Sequence, residues 1–410
     1  MSLEWESKSF SDLVDIIGGG TPKTSIDEYW NGDIPWISIK DFNSGQKYVL
    51  STEKTITELG LNNSSTKLLH KDDIIISARG TVGEVAMIKY EMAFNQSCYG
   101  LKVHELLDKD FVYYLLRYNI NKLRNMVHGA VFDTITTNTF DNIIVNVPPQ
   151  EYQEKISYLL SNIDNLIEVK IHENKNLEEQ LLRIFDSWFL KFELSNEFSD
   201  SKLGLIPKGW KIDYLGSKKS CSIIKSGIDE FDNSKIYIAT ADVDNSIITS
   251  NDTLITMDDK PSRANMQPIS NSIWFAKMID SKKLIMVDEY CNDLLNNYIF
   301  STGFCGLKCV DKYFYYLWTF LLTDVFDVMK NNFCTGTTMQ AINNKDTKLI
   351  EFVLPDDKTI TQFNSIAKPM FKKIYYNNLE IKKLQRLRDA LLPKLMSGEI
   401  DVSKINCDLE

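Results

Sequence analysis

Two stretches of the chain carry apolar side chains at alternating steps of three and four. The first runs Ile156, Leu160, Ile163, Ile167, Lys170, Asn174, Leu177, Leu181, Ile184, Trp188, and the second Phe363, Ala367, Met370, Ile374, Asn377, Ile381, Leu384, Arg388, Leu391, Leu395. A 3.5-residue period kept over more than four heptads predicts a long helix with a coiled-coil seam rather than a surface stripe. From Ile156 to Trp188 such a helix would run about 50 Å at ~1.5 Å per residue. Two helices of the same register most simply pack on each other, with Lys170, Asn174 and Asn377 as polar interruptions that fix register.

The stretches before each helix have a different pattern. Short β-rich runs, DIIISA (73–78), VAMIKY (85–90), NSIWFA (271–276) and KLIMV (283–287), lie between Gly, Asn and Asp positions, the signature of strands and turns. These halves are related. GAVFDTITTNTFDNIIVNVP (129–148) and GTTMQAINNKDTKLIEFVLP (336–355) are both G-x5-I-x12-P, offset by 207 residues at the Gly, the Ile and the Pro. Weaker echoes keep the same order: IPWISIKDF with KIYIATADV, CYGLKV with FCGLKC, FVYYLL with YFYYLW. The expected fold is α+β, two similar globules each followed by a long helix, the two helices packed on each other. The boundaries are globule 1 at 1–150, helix 151–192, a polar linker at 193–206, globule 2 at 207–354, helix 355–398 and a tail at 399–410.

With 410 residues, 43% hydrophobic and 25% charged, the chain has ample core for more than one domain. The longest apolar stretch, Phe314 to Leu322, is about half the ~18 residues a membrane span needs, and the start MSLEWESKSF carries no signal-peptide core, so a cytoplasmic protein without a membrane partner is expected. Met1-Ser2-Leu3 is given no structural weight. Seven cysteines without a C-x-x-C pair read as reduced thiols, and four scattered histidines offer no zinc site. The net charge of −10 opposes generic nucleic-acid binding, so any nucleic-acid contact would need local basic patches or a partner that supplies phosphate contacts.

The common catalytic constellations are missing. Gly18-Gly19-Gly20-Thr21-Pro22 lacks the last glycine of a dinucleotide fingerprint and reads as a turn, and no P-loop occurs. Asn146-Val147-Pro148-Pro149-Gln150 has the wrong order for an amino-methyltransferase loop and reads as a strand-to-helix junction. Three E-x-K pairs, Glu6/Lys8, Glu168/Lys170 and Glu380/Lys382, could suggest a metal-dependent nuclease, but two lie on the predicted helices as surface charge pairs. No catalytic or metal-binding residue is assigned.

The whole chain resembles the specificity subunits of type I restriction-modification enzymes. The resemblance rests on the duplicated layout and on local phrases: Phe185-Asp186-Ser187-Trp188-Phe189 after the first helix, Leu391-Leu392-Pro393-Lys394-Leu395-Met396-Ser397-Gly398-Glu399-Ile400 after the second, Ile206-Pro207-Lys208-Gly209-Trp210, Gly19-Gly20-Thr21-Pro22 with Ile34-Pro35-Trp36-Ile37, and Ser77-Ala78-Arg79-Gly80-Thr81-Val82-Gly83. The second half has Lys277-Met278-Ile279-Asp280 where that Arg-Gly turn falls, so the globules should read different sequences.

The resemblance implies a non-catalytic subunit whose globules each read half of a bipartite, asymmetric site in double-stranded DNA. The helices, packed as an antiparallel coiled coil, would set the unread spacer and dock methyltransferase subunits, with restriction/translocase subunits joining the assembly. Such a subunit would bind no cofactor itself, and S-adenosylmethionine, ATP and Mg would be expected on the partner subunits. Candidate DNA-contacting residues are Lys23, Thr24, Arg79 and Thr81 in the first globule and Lys260, Arg263, Asn265 and Gln267 in the second, polar side chains able to reach base edges or phosphates. Two alternatives remain: a recognition subunit whose partner fuses modification and cleavage, and a coiled-coil scaffold for proteins.

Overall fold

In the computed structural model, residues 5–42, 45–127, 134–336 and 340–405 are described. Gly129 of the repeat, His128, Cys407 and the first three residues lie outside them. The chain forms two compact units, Met1–His172 with Tyr376–Glu410, and Glu173–Tyr375.

In the first unit, strands Val14–Gly18, Cys98–Val103, Ile74–Ser77, Val85–Ile88 and Tyr48–Val49 make one sheet in that order. A second sheet takes the order Lys54–Ile56, Trp30–Ile37, Met92–Phe94, Leu68–Leu69. Within that second sheet, Trp30–Ile37 and Met92–Phe94 run parallel while their other neighbours are antiparallel. Ile74, Ile75 and Ile76 are all fully buried, which explains why DIIISA is continuously apolar rather than alternating. Helix α1, Lys109–Val127, packs Phe111, Val112, Leu115 and Leu116 into the core. Strand Glu6–Ser9 pairs with Ile144–Val147 and so ties the start of the globule to its end.

The second unit repeats this plan. Its sheets run Cys221–Ile223, Phe304–Cys309, Ser272–Ala276, Leu284–Val287, and Leu254–Ile255, Lys235–Ile238, Tyr298–Ser301, Ala264–Met266. The parallel pair recurs, Lys235–Ile238 with Tyr298–Ser301, and Lys211–Tyr214 pairs with Glu351–Leu354 as the closing ribbon. The half-chain repeat is thus a repeat of topology as well as of sequence.

Helix α2, Gln150–Phe185, follows the first globule. In the second unit, α3 (Phe314–Leu322) and α4 (Asp324–Asn332) occupy the place of α1, and α5, Asp357–Met396, follows. Each long helix is divided between the units: α2 up to His172 joins α5 from Tyr376 in the first, and the remaining parts join in the second. Within the first unit Asp164 meets Arg388 and Lys170 meets Glu380, at 2.6 Å each. Within the second, Glu173 meets Lys373 at 3.4 Å and Phe185 packs on Phe363. Numbers rise on one helix as they fall on the other, so the pairing is antiparallel, as the family resemblance implies.

Of the seam residues, Ile156, Leu160, Ile163, Ile167 and Leu181 are buried, while Leu177, Ile184, Met370, Ile374, Ile381, Leu384 and Leu391 are half-buried. Burial widens where a helix also faces a globule. Phe185, Phe371 and Leu392 sink into core clusters although they lie off the seam, because a helix covered from two directions presents a broader stripe than a coiled coil. Asn377 is buried, as a register-fixing residue would be.

The structure departs from the expected boundaries at two places. The segment expected as a polar linker contains a hairpin, Phe198–Ser201 with Gly204–Pro207, turned at Gly204 with φ +93°. Strands of four residues with mixed polarity carry no period long enough to detect. Residues expected as a C-terminal tail pack into the first unit: Val402 is buried and Lys155 Nζ donates to Ser403 O at 3.1 Å. Antiparallel pairing brings the end of α5 back to the globule where the chain began.

Candidate nucleic-acid interface

In the first globule one short loop, Asn95-Gln96-Ser97, joins the central strands of the two sheets and gathers two of the predicted segments. Gly20 N donates to Phe94 O at 3.0 Å, and Thr21 Oγ1 donates to Gln96 Oε1. A Cβ at Gly19 would fall 2.1 Å from Asn95 O, so only glycine permits this approach. Lys23 and Thr24 follow directly and are exposed. Lys23 O accepts from Trp30 Nε1 at 3.3 Å and from Ile26 N at 3.2 Å, which fixes the backbone and leaves the side chains outward.

The other face of the same loop holds the Arg-Gly turn. Ser97 O accepts from Ala78 N at 2.7 Å and from Arg79 N at 3.3 Å. Ser77 Oγ accepts from Glu84 N at 2.8 Å and donates to Thr81 O at 2.5 Å, closing the turn. Arg79, Gly80 and Thr81 are exposed at its tip. Lys23, Thr24, Arg79 and Thr81 therefore share one loop as their support. Gln96, exposed at the centre, was not among the expected residues; its signal was the Asn-Gln-Ser turn between the apolar runs MAF and CYGLKV.

The second globule builds the equivalent support from Ser301-Thr302-Gly303. Thr302 N donates to Arg263 O at 2.9 Å, Lys277 N donates to Gly303 O at 2.9 Å, and Lys277 Nζ donates to Thr302 O at 3.1 Å. Arg263 is exposed, and Asn265 is half-buried between the buried Ala264 and Met266. Strand alternation turns Asn265 to the face opposite that core. Its carbonyl accepts from Gly227 N at 2.9 Å. Lys260 and Gln267 flank this group, both half-buried, and Gln267 Oε1 has no hydrogen-bond partner among the described residues. Arg263 is thus joined to the loop through its carbonyl, whereas Lys260, Asn265 and Gln267 make no hydrogen bond to it among the described residues.

The repeat isoleucines have a role in both sites. Ile135 N donates to Ala78 O at 3.0 Å, and Ile342 N donates to Lys277 O at 2.9 Å. Both side chains are buried, so the segment carrying the repeat clamps the first residue of each turn.

Among the described residues no ion pair engages Lys23, Arg79, Lys260 or Arg263, so their charges are not neutralised by a neighbouring carboxylate. Glu168 and Glu380, the acids of two E-x-K pairs, bind Lys89 and Lys170. The six described cysteines are free, and burial pushes the Cys98, Cys291 and Cys305 thiols up to about 12. No helix among the described residues is long and apolar enough to cross a membrane.

The arrangement is one sheet-and-turn scaffold used twice, with different side chains at the turns, each globule followed by a long helix. Residues 2–179 match the family model for the type I restriction modification DNA specificity domain. Over 98% of its length the chain is 30% identical to the type I restriction enzyme MjaIX specificity subunit of Methanocaldococcus jannaschii, covering 95% of that protein. It is 31% identical over 172 residues to the EcoR124I/EcoR124II specificity subunit of Escherichia coli, covering 40% of this chain and 41% of that one. The crystal structure of a type I restriction-modification S subunit from M. genitalium shares the fold with a TM-score of 0.52 at 15% identity, covering 96% of each chain. The chain belongs to the type I restriction enzyme specificity subunits.

Proposed function

We propose that this chain is a non-catalytic subunit that selects double-stranded DNA, each globule reading one half of a bipartite, asymmetric target with the turn and strand residues gathered on its loop. The observation that carries this is the repeated support with unlike tips, Arg79-Gly80-Thr81 in one globule and Met278-Ile279-Asp280 in the other. A common scaffold with different exposed side chains suits two different half-sites. Exposed cations without acidic partners, on a chain of net charge −10, supply the local positive groups that phosphates and guanine edges require. The protein-scaffold alternative has no need of them.

In this reading the paired helices set the unread spacer and dock methyltransferase subunits, and restriction subunits join the same complex in the cytoplasm. S-adenosylmethionine, ATP and Mg act on those partners. Selection from random duplexes by the chain with its methyltransferase partner tests the proposal. Two short specified blocks at a fixed separation are expected, and R263A should cost about 1–3 kcal/mol of discrimination in one block only. Enrichment of no sequence would overturn it.

A further inference from the structure

We infer that Arg124 in the first globule, and Lys330 with Asn331 in the second, are positioning residues that hold the two reading turns in shape; this rests on the reading above. Neither group lies on the turns. Both sit on the helix behind them, α1 and α4, and Arg124 and Asn331 are separated by the repeat offset of 207 residues.

In the first globule Arg124 reaches across to the far limb of the turn. Its Nε donates to Val82 O at 2.9 Å, and its Nη2 donates to Gly83 O at 3.3 Å and to Glu84 Oε1 at 3.2 Å. Gly83 makes room for it: φ is +85°, and a Cβ there would stand 2.8 Å from Arg124 Nε. The sequence thus leaves out a side chain where the guanidinium must pass.

In the second globule the same task falls to two residues. Lys330 is 1% exposed, and its Nζ donates to Ser281 O at 2.6 Å. Asn331 Nδ2 donates to Asp280 Oδ1 at 2.8 Å, and Asp280 N donates to Asn331 Oδ1 at 3.2 Å. Asp280 has φ +52°, a conformation in which an L residue is strained unless its surroundings hold it. Asp327, 3.6 Å from Lys330, accompanies the ammonium.

A fully buried ammonium is costly to desolvate, and its closest hydrogen bond here goes to a turn carbonyl. Hydrophobic contact alone would fasten α4 to the sheet more cheaply. What the cation adds is a fixed turn, already gripped from the other sides by the supporting loop and by the repeat isoleucine. Different residues converge on the same grip in two globules whose turn tips differ, which separates holding from reading.

The test measures each half-site separately, by random-duplex selection with the full chain and its methyltransferase partner, beside thermal unfolding of every variant. R124A should lower discrimination in one block roughly tenfold and leave the other block intact, the size of a lost base contact. K330M/N331A should do the converse. R124K, which keeps the charge but loses the fork, should lose discrimination in the same block as R124A and serves where R124A does not fold. R117A, a cation on the same helix that does not touch the turn, should leave both blocks unchanged. Wild-type protein that selects no bipartite site would overturn the functional reading itself. A bipartite wild type whose R124A and R124K variants keep both blocks, or weaken both alike, would overturn the positioning role alone.

Discussion

Arg388 Nη1 lies 2.6 Å from Asp164 Oδ1, with both side chains 2% exposed. The other oxygen, Asp164 Oδ2, accepts from the Tyr114 hydroxyl at 2.5 Å, and Arg388 Nη1 also donates to Gly45 O at 2.9 Å. Burial opposes the Arg388 charge, but the neighbouring carboxylates outweigh it and the Arg388 pKa rises, while burial raises that of Tyr114. Arg388 therefore stays charged, and the contact pins α2 to α5 within the first unit at one register. R388L should cost about 3–5 kcal/mol, because it strands a buried carboxylate, while D164L/R388L should recover most of that loss. Denaturant unfolding of the two single variants and the double variant measures the coupling. A double variant as unstable as the sum of the singles would contradict it.

Gly83 and Gly80 share the first reading turn but differ in what surrounds them. At Gly83 a methyl group meets Arg124 Nε at 2.8 Å and Ile120 at 3.1 Å, whereas at Gly80 only Ile39 comes near, at 3.1 Å. Both have positive φ. G83A should destabilise by about 1–3 kcal/mol and G80A by less, since strain and a clash act together only at Gly83. Thermal unfolding ranks them.

Asp356 caps α5: its Oδ1 accepts from Thr359 N at 2.7 Å. That bond holds its carboxyl below the usual aspartate value of 3.8. A depressed folded pKa means the contribution is fully present above about pH 4 and fades as pH falls through the folded value. D356A should cost about 1 kcal/mol at neutral pH. D356N should keep most of the cap and remove its acid dependence, which unfolding at pH 7 and pH 3 compares directly.

Thiol labelling examines the burial of the second core. Cys98, Cys221, Cys291, Cys305 and Cys309 are buried and Cys334 is half-buried. Burial also raises the pKa of all six, so their thiolate fraction at pH 8 is low. In a C407S background the native chain should lose one thiol to an aromatic disulfide reagent well before the other five. Fast reaction of several thiols would contradict the packing.

Much of this fold was legible because its strongest signals are periodic. The seams marked both long helices and their pairing, the orientation of the pair being legible only through the family resemblance, and the offset of the repeat marked two globules of one topology. Ile135 and Ile342, whose amides clamp the two turns, are themselves positions of that repeat. The short elements were less legible. Four-residue strands such as Phe198–Ser201 have no measurable period, and Val402 gives no local sign that it is buried against a globule built from the other end of the chain. At the site, exposed cations could be nominated by type, but Arg124 and Lys330 act through neighbours distant in sequence. No local pattern marks such residues.

The proposed selection of DNA sequence by this chain is open to one direct test. The most direct measurement is single-molecule sequencing of base methylation in a host carrying the gene with its neighbouring methyltransferase, against the same host lacking only this gene. The account predicts one bipartite methyladenine motif, present with the chain and lost without it. An unchanged methylome while both partners are expressed would contradict it.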